Sequence, residues 1–173
     1  MLSRNVIITG FMGTGKTAVA KLLAQRLHAQ CVDMDSLIEE RIGLTVTEIF
    51  GCYGEKFFRR QEGMLALELA QSSGKVIATG GGTIVCEASR QTLARTGIII
   101  NLSCSVEEVL RRLCDKDDRP LLAAVDRLAR VQHLLASRQP HYDSIPHQVD
   151  TSSLTVEEVV DRIMDILRKQ AVC

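Results

Sequence analysis

Aromatic side chains are scarce in this chain of 173 residues: tryptophan is absent, and two tyrosines and four phenylalanines are all it has. A core must therefore be aliphatic, and 46% hydrophobic residues suffice to bury one in a single compact domain. An excess of one charge is lacking as well. Lys and Arg total 21 and Asp and Glu total 21, so no overall field favours nucleic acid or an anionic membrane. No apolar run approaches the length of a membrane span, and no basic stretch leads into an apolar segment of signal length. Both absences predict a cytoplasmic protein. The six cysteines, at 31, 52, 86, 104, 114 and 173, form no C-x-x-C pair, which speaks against a zinc module or a disulfide framework. They read as reduced core residues, with Cys173 an exposed thiol at the tail. Only three prolines occur, and no Pro-, Gly- or Ser-rich linker divides the sequence, so residues 1–173 are expected to form one domain.

What is present is an alternation. Short apolar runs at 5–9, 30–33, 75–79, 97–102 and 146–150 are separated by longer segments of helical period. This predicts an α/β protein of three layers, a five-stranded parallel sheet flanked by helices on both faces. Residues 17–27 carry Ala18, Val19, Leu22, Leu23 and Leu27 on one face, the stripe of a helix packed on a sheet. Two later helices announce themselves by capping boxes, Ser105 with Glu108 and Thr155 with Glu158. The charged run DKDDR at 115–119 lies between helical segments and reads as a mobile loop, a lid over about 114–122.

The first strand runs into GFMGTGKT, residues 10–17, which matches the P-loop pattern from Gly10 to Gly15, Lys16 and Thr17. Glycines let backbone N–H groups turn inward and approach an anion, since no Cβ intervenes and positive φ costs them little. The following helix adds unsatisfied N–H groups and the positive end of its dipole. Gly13, Thr14, Gly15, Lys16, Thr17 and Ala18 are therefore the expected nucleotide-binding residues. Lys16 can reach the β- and γ-phosphates, and the hydroxyl of Thr17 can ligate the Mg²⁺ that bridges them. The pattern predicts ATP or GTP with magnesium.

The second strand ends in Asp33-Met34-Asp35, at the carboxyl end of the sheet where open α/β folds bind ligands. Read as extended, the segment points both carboxylates the same way. One can hold a magnesium water, assigned to Asp33 because the third strand does not end in the usual acidic residue; the other, Asp35, can accept a hydrogen bond from a substrate hydroxyl. Either can instead cap the helix starting near Ser36. The third strand runs into Gly80-Gly81-Gly82, three residues that add no packing, so a ligand approaching the backbone is the natural reason for them. Arg59 and Arg60 follow Phe57 and Phe58, Arg119 sits in the charged loop, and Arg138 lies near a helix end broken by Pro140. Arginine forks suit carboxylate and phosphate, but spacing alone does not lift any of them above a surface arginine.

Taken in order, GFMGTGKT, DMD, GEKFFRRQE, ATGGG, RPLL and SRQPHY resemble the shikimate kinase family over nearly the whole chain. The resemblance implies the P-loop fold of the nucleoside-monophosphate kinase group and transfer of the γ-phosphoryl of ATP to the 3-hydroxyl of shikimate, with Mg²⁺. It also implies that Asp35, Arg59, Gly80, Gly81, Gly82 and Arg138 hold shikimate. Arg119 would come from a lid over ATP; Lys16, Asp35 and Arg119 would be catalytic, and Thr17 and Asp33, through water, would serve the metal. ATP and shikimate are the expected partners of a monomer, with no nucleic acid and no membrane. A kinase for another hydroxylated acid, of the gluconate type, would share the P-loop but has no reason for the joint set of Asp35, Arg59, three glycines and Arg138. A degenerate nucleotide-sensing module is disfavoured by intact Lys16, Thr17, Asp33 and Asp35.

Overall fold

The computed structural model describes residues 3–114 and 127–171. The sheet has five strands: β1 (Asn5–Gly10), β2 (Gln30–Asp33), β3 (Lys75–Ala78), β4 (Gly97–Ser103) and β5 (His147–Asp150), all parallel in the order β2-β3-β1-β4-β5. Helices alternate with them: α1 (Lys16–Leu27), α2 (Met34–Ile42), α3 (Val46–Leu69), α4 (Glu87–Thr96), α5 (Val106–Cys114), α6 (Arg127–Asp143) and α7 (Val156–Ala171). Every strand of the sequence reading is present, with ends shifted by one residue at most.

Strand β1 is central, paired along its whole length with β4 (Asn5 opposite Gly97 to Gly10 opposite Leu102) and also with β3, and all six of its residues are buried. Its alternation divides the core. Val6 and Ile8 face α1 and α7, packing with Val19, Leu23, Val160 and Ile163. Ile7 faces α2, α3 and α4, packing with Met34, Ile38, Ile49, Phe58, Leu65 and Leu93. Each fully buried Leu or Ile contributes about 1.5–3 kcal/mol, so two aliphatic layers suffice where aromatics are few. A third cluster, Phe11, Met12, Val109, Leu113, Val131 and Tyr142, lies beyond the carboxyl end of β1. Because the chain leaves β1 and β3 toward opposite sides of the sheet, a crevice opens at their carboxyl ends.

Four expectations change. Asp35 is not on an extended segment: Oδ1 of Asp33 accepts from the N–H groups of Asp35 (3.1 Å) and Ser36 (3.3 Å), so α2 already starts at Met34. Helix α6 is not broken at Pro140, which lies inside it. Proline there removes one N–H donor, and the buried ring of Tyr142 holds the last turn in place. The capping box at Ser105 is half made. Its hydroxyl accepts from the Glu108 N–H at 3.3 Å, but the Glu108 carboxylate is taken by Arg111 and Arg112 and held at a pKa of about 2, while the Ser105 N–H donates to Ser152. The boxes at Thr155 and, unforeseen, at Thr45 with Glu48 are complete. The cysteines are not uniformly core residues either: Cys31, Cys52, Cys86 and Cys104 are free thiols, but Cys52, on α3, and Cys86, the extended residue just before α4, are exposed. Cys173, the lid and Arg119 lie outside the described residues. No helix among the described residues is long and apolar enough to cross a membrane.

Candidate active site

The P-loop forms as its glycines require. Gly13 (φ 80°) and Gly15 (φ 92°) take left-handed backbone conformations. Gly10 must also lack a Cβ, which would lie 3.0 Å from Thr14 Oγ1 and collide with the Leu102 carbonyl. Helix α1 has no side-chain N-cap and no acidic residue in its first turn, so the N–H groups of Lys16, Thr17 and Ala18 are left for an anion. The Lys16 ammonium rests on the Phe11 carbonyl at 2.9 Å, folded back over the loop. Thr17 donates its hydroxyl to Asp33 Oδ2 at 2.6 Å, so the carboxylate that caps α2 also faces the P-loop. This pair offers only oxygen donors, which suits a hard cation that completes its shell from phosphate and water. Among the described residues no group of three or more His, Cys, Asp or Glu side chains converges as a metal cage.

The glycine triplet lies across the crevice. A Cβ on Gly80 would sit 2.6 Å from Asp35 Oδ1 and inside the carboxylate of Glu62; one on Gly82 would sit 2.5 Å from the Arg59 guanidinium carbon. Gly81 lies beside Arg138, whose Nη1 would be 3.7 Å from such a Cβ, and its carbonyl accepts the Tyr142 hydroxyl at 2.5 Å. The triplet thus admits four charged side chains at once, Asp35, Glu62, Arg59 and Arg138. Arg59, Glu62 and Arg138 line a cavity of about 300 Å³ together with Gly82, Thr83 and Cys86 among others. A hollow of about 320 Å³ opens at the opposite, amino end of the sheet, near Gly97 and His147, and contains none of these residues.

Arg59 is fixed from several sides. Helix α3 is interrupted at Gly54 (φ 78°, ψ 169°), and the segment after this kink begins with Glu55, whose carboxylate takes Nε and Nη2 of Arg59 at 3.1 and 2.9 Å. Nη1 meets Glu62 Oε2 at 2.5 Å, and the guanidinium lies 6.0 and 5.7 Å from the rings of Phe50 and Phe58. Burial works against its charge, but Glu62 and Glu55 outweigh burial and hold it more firmly protonated than usual. Arg60, the other candidate of the pair, is exposed.

Glu62 was missed in the sequence. Only 2% exposed, it binds Arg59 through one oxygen and accepts the Thr83 hydroxyl at 2.5 Å through the other. Its place one helical turn after Arg59 was the available signal. Arg112 was missed as well: it donates to the Gly13 carbonyl (3.3 Å) and the Thr151 carbonyl (2.7 Å) and so lies against the back of the P-loop. Burial raises the Tyr142 phenol above its ordinary pKa, with Arg138 opposing, so it stays a hydrogen-bond donor to Gly81.

The geometry can thus bind a nucleotide phosphate chain at β1 and an anionic, hydroxylated molecule against β3. Comparison with known proteins agrees. The family model described as shikimate kinase matches residues 12–168. A shikimate kinase of Geobacter sulfurreducens is 41% identical over 166 residues, covering 96% of this chain and 92% of that one. One from Caldanaerobacter subterraneus subsp. tengcongensis is 39% identical, covering 93% and 94%. The solved structure of shikimate kinase from Acinetobacter baumannii in complex with shikimate superposes with a TM-score of 0.92 at 32% identity, covering 96% of this chain and 94% of that one.

Proposed function

The chain belongs to the shikimate kinase family and phosphorylates the 3-hydroxyl of shikimate with ATP, on the route to aromatic amino acids, and we propose that the residues gathered between the P-loop and the glycine triplet perform this transfer. The observation that carries the assignment of residues is that Asp35, Arg59 and Arg138, from three separate helices, meet around Gly80, Gly81 and Gly82, with Gly81 beside Gly10 and Met12 of the P-loop. Shikimate presents one carboxylate and three hydroxyls. Arg59 and Arg138 suit the carboxylate as planar forks, and Asp35 and the glycine N–H groups suit the hydroxyls.

Phosphoryl transfer needs alignment and neutralisation of charge more than covalent chemistry. Lys16 and the N–H groups of Gly13, Thr14, Gly15, Lys16, Thr17 and Ala18 hold the phosphates. Asp35 orients the attacking 3-hydroxyl and takes its proton. Arg119, whose role rests on the family resemblance alone, offsets charge on the transferred group. When bound, Mg²⁺ supplies neutralisation of the β- and γ-phosphates; Thr17 would ligate it and Asp33 would hold one of its waters. The shared sheet and its two core layers support a single kinase domain, which we assign to residues 1–173; that it acts as a cytoplasmic monomer is part of the same proposal. An ADP-release assay with ATP and magnesium, offering shikimate, gluconate and nucleoside monophosphates in parallel, tests the assignment: turnover of either alternative with none of shikimate overturns it.

Two further results are expected. Asp33→Asn preserves the cap of α2, since Asn caps about as well as Asp, but removes the charge beside Thr17. The magnesium concentration for half-maximal rate should rise about tenfold or more, with ADP affinity in the absence of metal unchanged; full activity at limiting magnesium would remove Asp33 from this role. Arg59→Lys or Arg138→Lys keeps the charge and loses the fork, at about 1.5–3 kcal/mol, so kcat/KM for shikimate should fall roughly tenfold to a hundredfold. ATP affinity without shikimate should barely move. The double variant should lose less than the two single losses combined, because both arginines serve one carboxylate.

A further inference from the structure

Thr151 lies just past β5 and is 2% exposed, yet no core packing calls for a hydroxyl there. Its N–H donates to the Ser103 carbonyl at 2.9 Å, which continues the β4–β5 pairing by one residue. Its Oγ1 is 3.0 Å from that same carbonyl and 3.3 Å from the carbonyl of Thr14, in the middle of the P-loop. The single hydroxyl proton has both carbonyls in reach, and Ser103, already served by the backbone N–H, needs it less than Thr14. Arg112 meets a lone pair of the same oxygen, Nη1 to Oγ1 at 3.2 Å, while reaching the Gly13 carbonyl at 3.3 Å and anchoring its Nε on Glu108 at 2.7 Å. Arg112 and Thr151 thus grip two successive P-loop carbonyls from behind.

From this grip we infer that Thr151 is a positioning residue for the phosphate cradle. In a trans peptide the C=O and the next N–H point in opposite directions. A Thr14 carbonyl held outward by Thr151 turns the Gly15 N–H inward, toward the hollow where a phosphate would lie. Without the hold, that peptide can rotate, because Gly15 flanks it at φ 92° and tolerates other backbone conformations as well. The hydroxyl thereby sets the direction of a phosphate-binding donor while touching no ligand. The inference rests on the P-loop reading of the site but not on the identity of the phosphoryl acceptor.

Thr151→Val keeps the shape and deletes the donor; Thr151→Ser keeps the donor. Calorimetry with Mg·ADP and with inorganic tripolyphosphate, both without shikimate, should give about tenfold weaker binding of each probe to Thr151→Val, the loss of one buried hydrogen bond. Thr151→Ser should stay within about threefold of the parent. KM for ATP should rise in step, and KM for shikimate should not. Unchanged tripolyphosphate binding by Thr151→Val overturns the inference, as does weakening toward ADP alone, which would place the effect on the nucleoside. Equal losses in the Ser and Val variants overturn it too, because the hydroxyl would then be irrelevant. Thr151→Ala, read in the same way, replaces Thr151→Val if the latter fails to fold. Since both calorimetric measurements are made without shikimate, a wrong acceptor would leave the binding result intact.

Discussion

Asp35→Asn should lower kcat for shikimate phosphorylation by about 10²- to 10⁴-fold, the range of a positioned general base, while KM for ATP changes little. Asp35 lies in the first turn of α2, pressed against Gly80. A hydroxyl held there meets a carboxylate able to take its proton as the new bond to phosphorus forms. Asn has the same size and still accepts a hydrogen bond through its carbonyl, so it can orient the hydroxyl but cannot remove the proton. A fall below about tenfold would therefore mean that Asp35 orients only. Single-turnover measurement with saturating ATP and shikimate separates this loss from weakened binding.

Lys16→Met should cost about 10²- to 10³-fold in kcat, the usual consequence of deleting one preorganised electrostatic group at developing charge, and should raise KM for ATP as well. Met approximates the length of the lysine stem, so what is removed is the ammonium and its hydrogen bond to the Phe11 carbonyl. That bond is replaceable: when phosphate is bound, the ammonium exchanges a neutral carbonyl for an anion, a stronger partner. Melting temperature should be nearly unchanged in the variant, since Lys16 is not in either core layer. Near-normal kcat with stability intact would show that the backbone N–H groups suffice alone.

The architecture was legible because its signals are local. β1 and β4 are apolar runs, Gly10 to Thr17 is a dense motif, and Thr155 with Glu158 states a helix start in four residues. The misreadings arose where two local options competed. Asp33 was free to belong to the strand or to cap the next helix, and capping advanced α2 to Met34 and carried Asp35 into it. Glu108 had the right spacing from Ser105, but two arginines on its own helix face outcompeted one backbone N–H. Arg112 and Thr151 were illegible for a different reason. Their importance comes from partners 99 and 137 residues away in sequence, Gly13 and Thr14, and no periodicity encodes such meetings; of Glu62, the turn shared with Arg59 could be read but the meeting with Thr83 could not. Spacing did not separate Arg59 from Arg60; the family resemblance did, and the half-buried place of Arg59 beside an exposed Arg60 gives the physical reason.

The pairing of Arg59 with Glu55 and Glu62 bears on selectivity. Around the glycine triplet, the guanidinium groups of Arg59 and Arg138 are set against the carboxylates of Asp35, Glu55 and Glu62. Among the described residues around the triplet, three carboxylates stand against two guanidinium groups, so acetate or sulfate bound there would gain two cations and face three like charges. A ligand overcomes that repulsion by bringing protons to share, and hydroxyl groups bring them. The site thus sorts acids by their alcohols, admitting a polyhydroxylated carboxylate and turning away small anions that are far more abundant in solution.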